Sequence, residues 1–261
     1  MPPRHWTSET SAYNDSVERD VFESDKRAVV YLDLLGFAAL VEANPQYFAT
    51  EPFDHPSLRS LPTNAAAQRL TLFHQVLESN IASEQPNHAT VFSDCGFGVF
   101  YTPKACADFA VALMQDFLRV NVPVRMGLGF GTFSAIGTTS SITGRSTVVR
   151  ATFGGTSIVR AVAAESCGGK GMRIFVHRSF SELFTANRGD SGPKILPIPK
   201  ELKSVSCELD YVSGADPEQI DKWLASIREM AHSAAAEVQN HYSETLAAIS
   251  RMLESELDNS P

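Results

Sequence analysis

One run constrains this chain more than any other: Val29-Val30-Tyr31-Leu32-Asp33-Leu34-Leu35-Gly36-Phe37. Its β-branched and aromatic residues suit a buried strand, yet it carries a carboxylate near its end. A lone Asp in an apolar run is expensive unless a cation pairs with it. The plainer reading makes Asp33 a strand-end residue capping the turn before the next helix. A second run, TVFSDCGFGVF over 90–100, reads as two short apolar strands joined by a Ser-Asp-Cys-Gly turn with Asp94 at its tip. Where this hairpin lies beside the first strand, Asp33 and Asp94 meet at one end of the sheet. Two carboxylates placed there repel each other, and a divalent metal is the natural filler.

Composition narrows the partners. A chain of 261 residues, 43% hydrophobic and 20% charged, can bury a real core and is most simply one domain with extensions. A net charge of −8 argues against DNA or an anionic membrane as main partner, while leaving room for a small anionic substrate held through a metal. Cys95, Cys106, Cys167 and Cys207 show no CxxC spacing, and no secretory signal precedes them. Reduced thiols in a cytoplasmic protein are therefore expected. The longest apolar stretch, 29–41, is too short to span a bilayer and is interrupted by Asp33.

The remaining elements follow from period and punctuation. Residues 1–25 are polar and without clear period, an arm. A strand over 27–34 is followed by a helix from Phe37 to about Ala43, and Pro45, Pro52, Pro56 and Pro62 then break the chain. Thr63 or Asn64 caps a helix whose face is Leu70, Phe73, Leu77 and Ile81. After the hairpin, Pro103 opens a helix with Phe109, Leu113 and Phe117 on one side. VPVRMGLGFGTF, 122–133, reads as a strand whose glycines admit a close backbone or ligand. A loop and returning strand over 140–153, a helix over about 157–166 and a last clear strand over 173–176 follow. Helical spacing resumes over 217–257. The order β-α-α-β-β-α-β-β-α-β is an α+β plan with a largely antiparallel sheet and helices on one face.

These segments, taken in order, resemble the class III nucleotidyl cyclases. YLDLLGFAAL is similar to that family's first metal motif and FSDCGFGVF to its second, with Ser93 where a glycine is usual. VPVRMGLGFGTF resembles the glycine-rich strand that follows, FGGTSIVRAVAAES the helix lining the site, and CGGKGMRIFVHRSF the loop and strand closing the domain. The resemblance covers about 27–180 and is nearest, through YLDLLGF, to the Pycsar pyrimidine cyclases of bacterial anti-phage defence. It implies a ferredoxin-like βαββαβ core, a catalytic domain over 26–212 and a C-terminal helical extension over 213–261.

It also implies a chemistry. Two Mn²⁺ or Mg²⁺ ions would be held by Asp33, the carbonyl of Leu34, and Asp94, for in-line attack of a ribose 3′-hydroxyl on the α-phosphorus. Backbone N–H groups of Leu35, Gly36 and Phe37 would cradle the phosphates. Adenylyl cyclases read the purine with a Lys and an Asp, at positions that are Thr90 and Ala151 here; guanylyl cyclases place Glu at the first. A purine edge thus loses its charged partner, which turns the expectation to UTP, with CTP or a purine as alternatives. The family's Asn and Arg on the site-lining helix correspond by spacing to Ile158 and Val162, neither able to do that work. Either the register shifts by about two residues or Arg160, Arg125 or Lys170 substitutes, and Ser157 either bonds the ribose or caps the helix. A homodimer with composite sites, cytoplasmic placement and a separate effector reading the cyclic product complete the implication. A domain that binds nucleotide without turnover is the non-enzyme alternative.

Overall fold

The computed structural model describes residues 26–44, 64–142, 145–187, 192–234 and 236–257. The expected arm over 1–25, the proline-broken stretch with Thr63, and the side chain of Ala151 lie outside the described residues.

β1 (Arg27–Leu34) lies inside the sheet, flanked on both sides, and its two faces differ. Ala28, Val30, Leu32 and Leu34 enter the main core, whereas Val29 and Tyr31, and by alternation Asp33, look the other way. α1 (Phe37–Ala43) and α2 (Ala65–Glu84) lead into a hairpin of β2 (His88–Phe92) and β3 (Cys95–Phe100). Asn64 caps α2 by accepting the Ala67 N–H at 3.0 Å. Thr102 does the same for α3 (Pro103–Arg119), with Pro103 in the first turn. β4 (Val124–Gly131) then returns antiparallel to β1. The order β2-β3-β1-β4, antiparallel at every step, is the ferredoxin-like βαββαβ core.

β5 (Ser134–Ile142) and β6 (Arg145–Gly154) form a separate two-stranded sheet, and α4 (Thr156–Glu165) follows. β7 (Ile174–His177) joins β4 in parallel. α5 (Arg178–Asn187), β8 (Ile195–Leu202) and β9 (Val205–Leu209) extend the sheet to β2-β3-β1-β4-β7-β9-β8. The strand at 173–176 is therefore not the last. β8 was hidden by Pro197 and Pro199, which an edge strand tolerates, and its pairing with β9 slips between Pro197 and Leu202.

α6 (Pro217–Ser233) and α7 (Ala236–Leu257) end the described chain. They belong to the main core, to which they give Trp223, Ile227, Ile249 and Met252. Each large apolar side chain buried this way contributes about 1.5–3 kcal/mol, so these helices do not peel away cheaply. Helices α2, α3 and α5 share that core.

α4 alone takes the opposite face. A Cβ at Gly127 would stand 2.1 Å from the Ala161 carbonyl oxygen, and one at Gly129 2.5 Å from the Ala161 nitrogen. The glycines of β4 let a helix backbone rest directly on the strand, as their spacing suggested. Among the described residues no helix is long and apolar enough to cross a membrane.

Candidate functional site

The site grows from the paired ends of β1, β3 and β4. Asp33 stands opposite Cys95 on one side and Arg125 on the other. Asp94 precedes Cys95 in the β2–β3 turn, and its carbonyl accepts the Leu34 N–H at 2.8 Å. The hairpin tip is thereby stitched to the end of β1, and the two aspartates share one end of the sheet. Ser93 reaches this turn with φ 52°, in the left-handed region where glycine is at ease. His74 Nε2 on α2 lies 2.7 Å from the Ser93 carbonyl and steadies the same turn.

The charges here do not balance. Burial, then Glu165, then Asp94 push the Asp33 carboxyl up to about 6, with Arg125 opposing. Arg125 is already engaged: its Nε donates to Glu165 at 2.6 Å and its Nη1 to the Gly169 carbonyl at 3.1 Å. Three acids therefore surround one committed cation. Beside them burial raises the proton affinity of the Tyr31 hydroxyl and of the Cys95 thiol, which donates to the Phe92 carbonyl at 3.4 Å.

Two carboxylates and the Leu34 carbonyl are hard oxygen donors, the chemistry preferred by Mg²⁺ or Mn²⁺. Among the described residues no group of three or more His, Cys, Asp or Glu is placed to hold a metal. Mg²⁺ is ordinarily held by one or two carboxylates, with water and phosphate completing the shell, and the donors present fit that pattern.

Several expected substrate contacts are placed differently. The Leu35 N–H donates to the Pro123 carbonyl at 2.9 Å, so it serves the fold and not a phosphate. Gly36 is exposed at the turn, whereas Phe37 is buried in the main core. Ser157 neither meets solvent nor caps α4 by its side chain, the N-cap being Gly155. Its hydroxyl donates to the Thr132 carbonyl at 2.8 Å and fastens α4 to the end of β4. Arg160 donates to the Phe130 carbonyl at 2.7 Å. Phe130 pairs with Ala28, five residues back from Asp33, so about 16 Å of strand separates this guanidinium from the carboxylates. The reason is the direction of α4, whose first turns lie over the far end of β4. Arg125 does reach the site, but as the partner of Glu165. Lys170 is exposed in the loop beyond α4, where its charge acts on His241. Thr90 points to the site face, its hydroxyl 3.1 Å from His88 Nε2.

Two residues were not anticipated. Glu165 stands in the last turn of α4, where a negative side chain opposes the helix dipole; that misplacement was the available signal. His88 shares the site face with Phe97, ring centroids 5.8 Å apart, and with Phe133 at 5.6 Å. Phe153 closes on Phe97 at 4.7 Å, so an aromatic floor runs away from the carboxylates toward β2.

No protein-family model matches the chain, and no curated protein matches it. Solved structures it is similar to include adenylate and guanylate cyclases. An adenylate cyclase from Trypanosoma brucei in its monomeric state aligns over 73% of this chain and 92% of its own, at 14% identity and TM-score 0.49. The guanylate cyclase domain of RhGC from Catenaria anguillulae, in complex with GTP, aligns over 71% and 93% at 14% identity and TM-score 0.44. The adenylyl cyclase CyaB from P. aeruginosa aligns over 71% and 93% at 15% identity and TM-score 0.41. Likenesses of this size bear on neither substrate nor activity, which must come from the residues at the paired strand ends.

Proposed function

We propose that this chain is a nucleotidyl cyclase that converts UTP to 3′,5′-cyclic UMP and pyrophosphate, a second-messenger synthase of the Pycsar kind. The observation carrying this reading is the convergence of Asp33 and Asp94 with too little positive charge to balance them. Asp33, Asp94 and the Leu34 carbonyl would hold two Mn²⁺ or Mg²⁺ ions. When bound, such ions neutralise the triphosphate and lower the pKa of the ribose 3′-hydroxyl. The 3′-oxygen forms a bond to the α-phosphorus, the bond from that phosphorus to the β-phosphate oxygen breaks, and the hydroxyl proton passes to water.

The chain's own residues supply position. Glu165 keeps Arg125 beside Asp33 without letting it quench both aspartates. The Leu34–Asp94 backbone bond sets the spacing of the two acids. Thr90, His88 and Phe97 offer the base a hydroxyl, an imidazole and a ring face, with no charged reader for a purine edge. Burial lowers the proton affinity of His88, which favours the neutral ring. Arg160, held at the far end of β4, can serve only a site completed by a second copy of the chain. Exposed Val159 on α4 and Phe92 on β2 are the apolar side chains such a copy would cover. Cytoplasmic placement and a separate effector for the product belong to the same reading.

A second reading, nucleotide binding without turnover, is favoured by the tethered Arg160 and the apolar Ile158 and Val162. One assay separates them: the chain with each of the four ribonucleoside triphosphates and Mn²⁺, products resolved. A cyclic monophosphate from UTP, abolished by Asp33→Ala or Asp94→Ala, is expected. A product from CTP alone keeps the site and moves the base choice. Product from GTP alone, or activity surviving both substitutions, overturns the proposal, and binding without product establishes the second reading.

A further inference from the structure

We propose that α7 is a strut for the carboxylate site, with His241 and Thr245 as its positioning residues; the inference rests on the cyclase reading for its effect on turnover. Between α4 and β7 runs the loop Cys167-Gly168-Gly169-Lys170-Gly171-Met172, and α7 holds its far end. The Gly171 N–H donates to His241 Nδ1 at 3.2 Å, and the Met172 N–H donates to Thr245 Oγ1 at 2.8 Å. Thr245 passes its own hydroxyl hydrogen to the His241 carbonyl at 2.8 Å, so both contacts belong to one turn of the helix. Gly171 has φ +95°, and a Cβ there would stand 3.0 Å from the Thr245 nitrogen and 3.1 Å from the His241 carbonyl oxygen. Loop backbone lies on helix backbone.

The same loop reaches the acids from its near end. Its Gly169 carbonyl accepts from Arg125, which bonds Glu165 and opposes the protonation of Asp33. The first turn of α7 also touches the opposite lip, where a Cβ at Gly36 would lie 3.7 Å from a methyl of Val238. One helix thus braces both loops that flank the aspartates. Arg251, further along α7, is fixed to Glu208 at 3.0 Å, and Tyr242, Ile249 and Met252 sit in the main core. These contacts keep the helix from sliding. His241 and Thr245 bond the loop backbone, and each acts through the loop.

The test uses the full chain. Thr245→Val keeps the shape and removes the hydroxyl, Thr245→Ser restores it, and His241→Ala removes the ring. In protein free of metal and nucleotide, Thr245→Val should speed amide exchange roughly tenfold at Gly171 and Met172 and also at Gly169 and Arg125, with Thr245→Ser within about twofold of wild type. With UTP and Mn²⁺, kcat per folded molecule should fall roughly tenfold while KM stays within about twofold, and Thr245→Ser should recover it. Faster exchange confined to Gly171 and Met172, or an unchanged kcat in a variant whose loop is shown to be freed, overturns the strut. Should Thr245→Val fail to fold, His241→Ala, at a half-buried position, carries the same two readouts. A wild-type chain that cyclises no nucleotide sinks the cyclase reading alone, because exchange needs no turnover.

Discussion

Two arginine–glutamate pairs lie on neighbouring strands of this sheet, and they are built to opposite ends. Arg173, just before β7, donates to Glu208 at 2.5 Å, and Arg251 meets the other oxygen of the same carboxylate. The Arg173 and Glu208 side chains are only 5% and 1% exposed, and the Arg173 guanidinium also lies 4.6 Å from the Phe175 ring centre. Two cations share one acid, and Arg173 Nη2 and Arg251 Nε find no hydrogen-bond partner. One strand away, Arg125 is paired with Glu165 in the reverse proportion, since Asp33 and Asp94 crowd the same region. The first cluster is closed and holds the fold. The second carries surplus negative charge around Asp33. A pair's place on the sheet says little; the sign of what is left over says what it is for.

The comparison can be broken by substitution. Glu208→Ala strands two arginines in the interior and should cost about 3–5 kcal/mol, read by urea unfolding. A loss under about 1 kcal/mol would mean that cluster is not structural. Glu165→Ala removes a less enclosed partner and also relieves Asp33, so a smaller loss of about 1–2 kcal/mol is expected in the same experiment.

Asp33→Asn should stabilise the metal-free chain at pH 7. The folded protein holds a proton on Asp33 up to about pH 6, above the ordinary carboxylate range near 3.8. The folded state therefore binds more protons than the unfolded state between those values, and wild-type stability falls as pH rises through that window. The advantage of Asp33→Asn should disappear below about pH 4; thermal melting between pH 3.5 and 7.5 reads it, and a constant difference would refute the charge imbalance. Smallest is Ser93→Gly, which relieves the left-handed residue beside Asp94 and should raise stability by up to about 1 kcal/mol, offset in part by the freedom glycine adds to the unfolded chain.

What the sequence disclosed follows range along the chain. β1, the β2–β3 hairpin, the capped α2 and α3, and the glycine-bearing β4 were legible because apolar period, caps and turn residues act locally. The meeting of Asp33 with Asp94 was legible too, since a hairpin tip has few places to go. α5 was obscured by its polar opening Arg178-Ser179, and β8 by two prolines. The hydrogen bonds of Ser157 and Arg160 were not legible because the carbonyls they reach, Thr132 and Phe130, are brought near only by the laying of α4 onto β4. Glu165 reaches Arg125 across 40 residues of chain, and no local pattern announces such a meeting.

The contact between Gly171 and His241 joins positions 70 residues apart. A ribosome adding roughly 5–20 residues per second needs several seconds to deliver the second after the first. Throughout that interval the nascent sheet can already be assembled while the glycine segment has nothing to lean on. On the cyclase reading proposed above, the carboxylate site gains its brace only after that helix has emerged.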